Sequence, residues 1–439
     1  MKDKIFPTIF GPVKGRCGDG VVRFQNIRYA VSKRYQRPEL LSPKEGFLHQ
    51  SERPHVCPQH LSPFLDRMIE QPDAENFIAD EATQFLSVTT PEDFKNKEKI
   101  PILVWIHGGS YEIGCGDLPT SDPSKWVREQ DIIVVSVSYR LGLFGFLGGV
   151  GGRPANLGLL DVVEALKWIR NYSSVFHGDS ENITLLGQSS GGDLIAHLMI
   201  ADLPGNLFRR LIIQSAPLGL RKGRQKMYRE LSEKTFSFIH EEDPLKMVEW
   251  QQKALPKFSR FGMKSLMPFG LQYGAYPLPD EKETMAMWRR NAKKYEVLIG
   301  LNHDETSFYL ATSEQVKKYT GNSFSKKILQ KAIRFSTEKI YGKPARQFAE
   351  NLRKGGGNVT LFRIHSVLQR GIGAAHCFDL PLLFGDESGW KKAGLLKDVP
   401  WRYIEENGKK LRFFWTEFMR NGVLPVNEKL PEGLHFEVL

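Results

Sequence analysis

The chain has 439 residues, 41% of them hydrophobic and 25% charged, the make-up of a globular protein large enough to bury a substantial core. Lysine and arginine outnumber aspartate and glutamate 61 to 50, for a net charge of +11, but the basic residues are scattered and no nucleic-acid motif accompanies them. A solvated basic surface is therefore expected, and nucleic acid is excluded as a partner. No run of about 18 uncharged apolar residues occurs, so no membrane span is expected. The four cysteines, Cys17, Cys57, Cys115 and Cys377, have neither metal-ligand spacing nor a disulfide pattern, and the start of the chain lacks a secretory h-region. A reduced, cytoplasmic setting is the expectation.

In chain order, Val21–Phe24 and Ile27–Ala30 read as two short strands, and Pro58–Ala82 as a loop. Gln84–Thr90, Ile102–Ile106 and Ile132–Ser138 are β-branched apolar runs, the last two almost continuously apolar, as strands buried on both faces are. Leu157–Arg170 has helical periodicity, Ile183–Gly187 is a strand, Asp193–Ala201 a helix and Leu211–Gln214 a strand. Residues 221–294 are charged and helix-like, an insertion over the sheet. A strand returns at Glu296–Gly300, a second helical block fills 313–353, Val359–Ile364 is the last strand and Gly408–Arg420 a closing helix. This alternation predicts an α/β fold with a mostly parallel sheet covered by helices on both faces, in one domain spanning the chain.

Two motifs carry chemistry. Gly187-Gln-Ser-Ser-Gly191 has the G-x-S-x-G form between a strand and a helix. A sharp turn there lifts the Ser189 hydroxyl clear of the sheet and sets a helix N-terminus beneath developing negative charge. His107-Gly-Gly-Ser-Tyr111 follows an earlier strand, where bare main chain can donate to an oxyanion; the candidate donors are the amides of Gly109, Ser110 and Ser190. A serine needs a base oriented by an acid, in the order Ser, Asp/Glu, His. Of the histidines after Ser189, His376 lies past the last strand in a loop, where a base belongs; His197, His240, His303, His365 and His435 are less well placed. Asp304 and Glu305, just beyond a strand end, are both candidate acids.

With Val104-Trp-Ile-His-Gly-Gly109, Asn156-Leu-Gly-Leu-Leu-Asp161, Phe176-His-Gly-Asp-Ser-Glu-Asn-Ile-Thr184, Gly300-Leu-Asn-His-Asp-Glu305 and Ala375-His-Cys-Phe-Asp379 in order, the chain resembles the type-B carboxylesterases, which include cholinesterases and bacterial para-nitrobenzyl esterases. The resemblance runs from about Val21 to Arg420. It implies the α/β-hydrolase fold and a Ser189–His376–Glu305 triad that hydrolyses small to medium carboxylic esters through an acyl-enzyme, without metal or cofactor. It further implies a structural Arg140–Glu81 ion pair and a structural Asp161. The family's first disulfide would join Cys57 to a position held here by Thr83, so that bridge is not expected. The loop between them has no tryptophan, which argues against choline esters. A catalytically silent, cholinesterase-like interaction protein is the alternative, but such chains lose the serine or histidine and this one keeps the triad. A monomer or homodimer acting on a small ester is the expected state.

Overall fold

Along the strand Ile100–Ile106, Leu103 and Trp105 point to one side and Val104 and Ile106 to the other, and all four are buried. Both sets can be buried only if helices cover the two faces of the sheet around them. The computed structural model, which describes residues 2–48, 50–51, 53–60, 63–69, 74–97, 99–236, 240–310, 323–366, 372–425 and 428–437, has this arrangement.

The main sheet has eleven strands, β1 (Lys2–Thr8), β2 (Gly11–Gly18), β3 (Val21–Arg28), β4 (Phe85–Pro91), β5 (Ile100–Ile106), β6 (Ile133–Val137), β7 (Gly178–Gln188), β8 (Arg210–Gln214), β9 (Glu296–Asn302), β10 (Asn358–Ile364) and β11 (Leu434–Glu437). Their order is β1-β2-β3-β4-β6-β5-β7-β8-β9-β10-β11. The strands from β6 to β10 in that order run parallel, and antiparallel strands flank them on both sides. This is the α/β-hydrolase architecture.

The helices that matter here are α1 (Leu157–Tyr172), α2 (Ser190–Leu198), α3 (Gln225–Thr235), α4 (Pro244–Ala254), α5 (Thr284–Asn291), α6 (Ser323–Thr337), α7 (Lys343–Lys354) and α8 (Trp401–Asn421). Helices α1 and α2 pack on the face carrying Val104, Ile106, Leu185 and Ile213. Helix α8 sends Leu411, Phe414, Trp415 and Phe418 against Leu103, Trp105, Leu186 and Leu298 on the other face. Its ends obey simple rules: Pro400 precedes it, and Gly422 closes it with φ 73° while donating its amide to the Phe418 carbonyl. Asp243 caps α4 by accepting from the Leu245 amide, with Pro244 at the first helical position. No helix among the described residues is long and apolar enough to cross a membrane.

Several expectations need correction. Val21–Phe24 and Ile27–Arg28 form one strand, β3, interrupted by a register shift between Phe24 and Ile27 where Asn26 takes φ 54°, while Ala30 belongs to a separate short strand paired with Glu39–Leu40. Strands β1 and β2 precede β3, and Val359–Ile364 is not last, because β11 pairs antiparallel to it. The segment Pro58–Ala82 holds a helix at Pro63–Ile69. Helix α2 begins three residues before Asp193 and ends at Leu198, and α8 begins seven before Gly408. Of the helical block 313–353, residues 313–322 lie outside the described residues; the remainder is α6, a turn of π-helix and α7.

The Arg140–Glu81 pair does not form. Arg140 donates from its backbone amide and Nε to Asp161 Oδ2 (3.0 and 2.8 Å) and from Nη2 to Oδ1 (2.7 Å), because α1 carries Asp161 directly beneath it. Glu81 pairs instead with Arg34. All four cysteines are free, and Cys57 Sγ accepts from the Leu141 amide at 3.2 Å.

Candidate active site

Strand β7 ends at Gln188 and α2 begins at Ser190, so Ser189 alone must turn the chain, which it does at φ 56° and ψ −124°. Its amide donates to the Gln214 carbonyl on β8 (2.9 Å) and its carbonyl accepts from Asp193, fixing the turn at both ends. Side chains cannot be accommodated on either flank. A Cβ on Gly187 would sit 2.4 Å from the Gly191 carbonyl oxygen, and one on Gly191 would sit 2.1 Å from that of Ile106.

The acid and base arrive on two loops stitched together by main chain. Asp304 N donates to the Ala374 carbonyl (2.9 Å), and His376 N to that of Glu305 (3.1 Å). Ser189 Oγ lies 2.8 Å from His376 Nε2, and Nδ1 of the same ring lies 2.5 Å from Glu305 Oε2. An ionised carboxylate only accepts, so the ring proton sits on Nδ1 and Nε2 presents a lone pair to the serine hydroxyl. The other oxygen of Glu305, Oε1, accepts the Asn302 amide at 2.7 Å, and the side chain has no exposed surface. Phe308, Tyr309 and Tyr341 surround the imidazole, with ring centres 5.9, 5.9 and 5.4 Å away.

The glycine loop after β5 abuts the serine: a Cβ on Gly108 would lie 3.0 Å from Ser189 Cβ. Ser110 and Tyr111 both take positive φ, 58° and 62°. Among the described residues the amides of Gly109, Ser110 and Ser190 donate to no protein group. The Tyr111 amide, by contrast, donates to Ser190 Oγ (3.2 Å), so that hydroxyl ties the loop to the start of α2. A cavity of about 210 Å³ opens over Ser189 with mostly apolar walls from Phe64, Leu65, Ile69, Ile113, Leu118 and Leu380.

The structure brings Ser189, His376, Glu305 and the 108–110 loop together, and it places the competing candidates elsewhere. Asp304 points to Gly373 rather than to His376. His197 bridges the Asp193 carbonyl and the Tyr273 hydroxyl within the core. His303 stacks on His365, His435 meets the His365 ring edge-on, and His240 is exposed. His107 stacks on Tyr139, and burial lowers its imidazole to about 4, so it is neutral.

Sequence reasoning missed two supporting contacts. Gln188 Nε2 donates to Cys377 Sγ at 3.4 Å, and Asn302 Nδ2 donates to Asp379 Oδ1 at 3.0 Å. Burial, reinforced by the nearby Glu305, raises the Asp379 carboxyl to about 6. The motifs around Glu305 and His376 contain Asn302 and Asp379, so their place in those motifs was the available signal.

A family profile described as the carboxylesterase family matches residues 2–323. The chain belongs to the carboxylesterase family. It is a carboxylic-ester hydrolase. Among curated carboxylesterase relatives, a probable N-octanoylanthranilate hydrolase from Rhodococcus erythropolis is 32% identical, with 95% of this chain and 94% of that protein aligned. The para-nitrobenzyl esterase of Bacillus subtilis is 26% identical over 96% and 91% of the two chains. In fold the chain matches a thermophilic para-nitrobenzyl esterase with a TM-score of 0.75, at 24% identity over 97% of this chain and 92% of that one. The Geobacillus stearothermophilus carboxylesterase superposes with a TM-score of 0.73, at 21% identity over 99% and 97%.

Proposed function

We propose that this carboxylesterase cleaves small to medium esters by acyl transfer to Ser189. What carries the reading is the unbroken hydrogen-bonded chain from Ser189 Oγ through His376 to the buried Glu305, at the floor of an apolar cavity.

Ser189 Oγ bonds to the ester carbonyl carbon while His376 Nε2 takes its proton. The carbonyl oxygen, now negative, accepts from the amides of Gly109, Ser110 and Ser190, whose donors are free for it; each such donor is worth about 3–4 kcal/mol in the transition state. Collapse breaks the bond to the alkoxide, which leaves with the proton from Nε2. Water then gives a proton to Nε2, attacks the acyl carbon and releases the acid, and the proton returns to Ser189. Glu305 stays ionised and holds the ring by Nδ1.

At about 210 Å³ the cavity is below the ~300 Å³ lower end for drug-sized ligands, which suits a small ester with an apolar acyl group. The name of the Rhodococcus relative adds N-octanoylanthranilate as a second substrate to assay. Turnover of p-nitrophenyl acetate and butyrate by wild type and Ser189→Ala tests the proposal. The variant should lose at least about 10³-fold in kcat; equal rates would sink it.

A further inference from the structure

Helix α6 (Ser323–Thr337) rests one face on the loop that carries Glu305 and leaves the opposite face bare. On the inner side, Thr306 Oγ1 bonds to the Ile333 carbonyl (3.1 Å) and to Ser336 Oγ (2.7 Å). On the outer side, Phe324, Ile328 and Phe335 fall on one stripe at about 3.6 residues per turn and are 73%, 54% and 70% exposed. Lys331 lies on the stripe itself, between Ile328 and Phe335, Lys327 and Arg334 border it on one side, and among the described residues none of the three is held in a salt bridge. The ammonium of Lys339 sits 5.9 Å from the centre of the Phe335 ring.

Large apolar side chains are rarely left this bare in a row without a partner. A peptide partner would need a groove to grip these side chains. A fluid surface needs none. Apolar tips bordered by lysine and arginine are the pattern of a helix lying in the boundary between headgroups and acyl chains, and the cations select anionic headgroups. The chain's net charge of +11 adds a long-range attraction of the same sign.

We propose that α6 docks the protein on an anionic phospholipid surface. Phe324, Ile328 and Phe335 enter the acyl boundary, and Lys327, Lys331 and Arg334 lie among the headgroups. Because the inner face of α6 packs on the acid loop, docking sets the lipid one helix away from the hydrolytic machinery.

Co-sedimentation of the full chain with phosphatidylcholine vesicles, with and without about one-third phosphatidylglycerol, tests this directly. Wild type should bind the anionic vesicles about tenfold or more tightly than the neutral ones, and lose that margin in high salt. Phe324→Ser/Phe335→Ser and, separately, Lys327→Gln/Lys331→Gln should each weaken binding about tenfold or more while leaving p-nitrophenyl acetate hydrolysis unchanged. Absence of binding by wild type, or equal binding by the variants, overturns the proposal. So does a wild-type dimer that Phe324→Ser/Phe335→Ser dissolves, since the stripe would then face a second copy of the chain. Sedimentation requires no turnover, so its failure is separable from failure of the esterase reading.

Discussion

Replacing Glu305 by glutamine changes almost no volume and removes one charge, yet it should disable the base. Each oxygen of Glu305 takes one proton donor: Oε1 the Asn302 amide at 2.7 Å, Oε2 the His376 Nδ1 at 2.5 Å. Glutamine offers one acceptor and one donor. With its carbonyl kept on Asn302, its NH₂ faces Nδ1, which must then accept. The ring proton moves to Nε2, where it meets the serine hydroxyl and leaves no lone pair to take the proton of Ser189. The reverse orientation sets NH₂ against the Asn302 amide, two buried donors in opposition. The first state is therefore favoured, and it is the wrong tautomer. A comparable reversal in a serine protease triad lowers kcat about 10⁴-fold, or about 5.4 kcal/mol at 1.36 kcal/mol per decade. Stopped-time assays on p-nitrophenyl butyrate should show a kcat/KM lowered by about 10⁴ with KM little changed, and circular dichroism should show a folded protein melting within a few degrees of wild type. A folded Glu305→Gln retaining activity within about tenfold of wild type would refute the argument.

Three further outcomes follow from buried groups. Asp161→Ala strands the Arg140 guanidinium, which is 1% exposed, and should cost about 3–5 kcal/mol in urea unfolding; a loss under about 1 kcal/mol would contradict the pairing. Burial raises Glu112 from 4.5 to about 7 against the opposing hydrogen bond from Gln251. The folded chain thus holds that proton more tightly than the unfolded one, and its contribution to stability is full below about pH 4.5 and declines as pH rises to about 7. Glu112→Gln should therefore gain in melting temperature relative to wild type between about pH 5 and 8, and a constant difference would refute this. Burial, with Asp379 and Glu305 nearby, pushes the Cys377 thiol well above its usual range, and burial likewise raises Cys57 and Cys115. A thiol reagent at about pH 8 should find at most Cys17 in the native chain and all four cysteines after unfolding; rapid native labelling of Cys377 would count against the neutral thiol.

The central strands were legible because burial on both faces writes itself as unbroken apolar runs, as at Ile102–Ile106 and Ile133–Val137. The edges were not. β1 is mostly exposed and opens Lys2-Asp-Lys4, and β11 carries His435 and Glu437; main-chain pairing with a neighbour, rather than a buried pattern, makes them strands. Ser189 was visible because a strained strand-to-helix turn demands glycines at 187 and 191. The choice between Asp304 and Glu305 was not open to spacing, since adjacent residues differ only in which way the loop turns them. The resemblance named Glu305, and the loop directs that side chain to His376. The partner of Arg140 lay beyond both kinds of reasoning, because it depends on how α1 crosses beneath the strand end rather than on any local pattern.

The account rests on Ser189 being the atom that is acylated. Mass spectrometry of the intact chain after exposure to a fluorophosphonate measures this most directly. One adduct per chain, mapped to the peptide containing Ser189, absent from Ser189→Ala and formed in step with the loss of p-nitrophenyl butyrate turnover, is the predicted result. Continued hydrolysis with Ser189 unlabelled, or an adduct on another residue that alone abolishes activity, would contradict it.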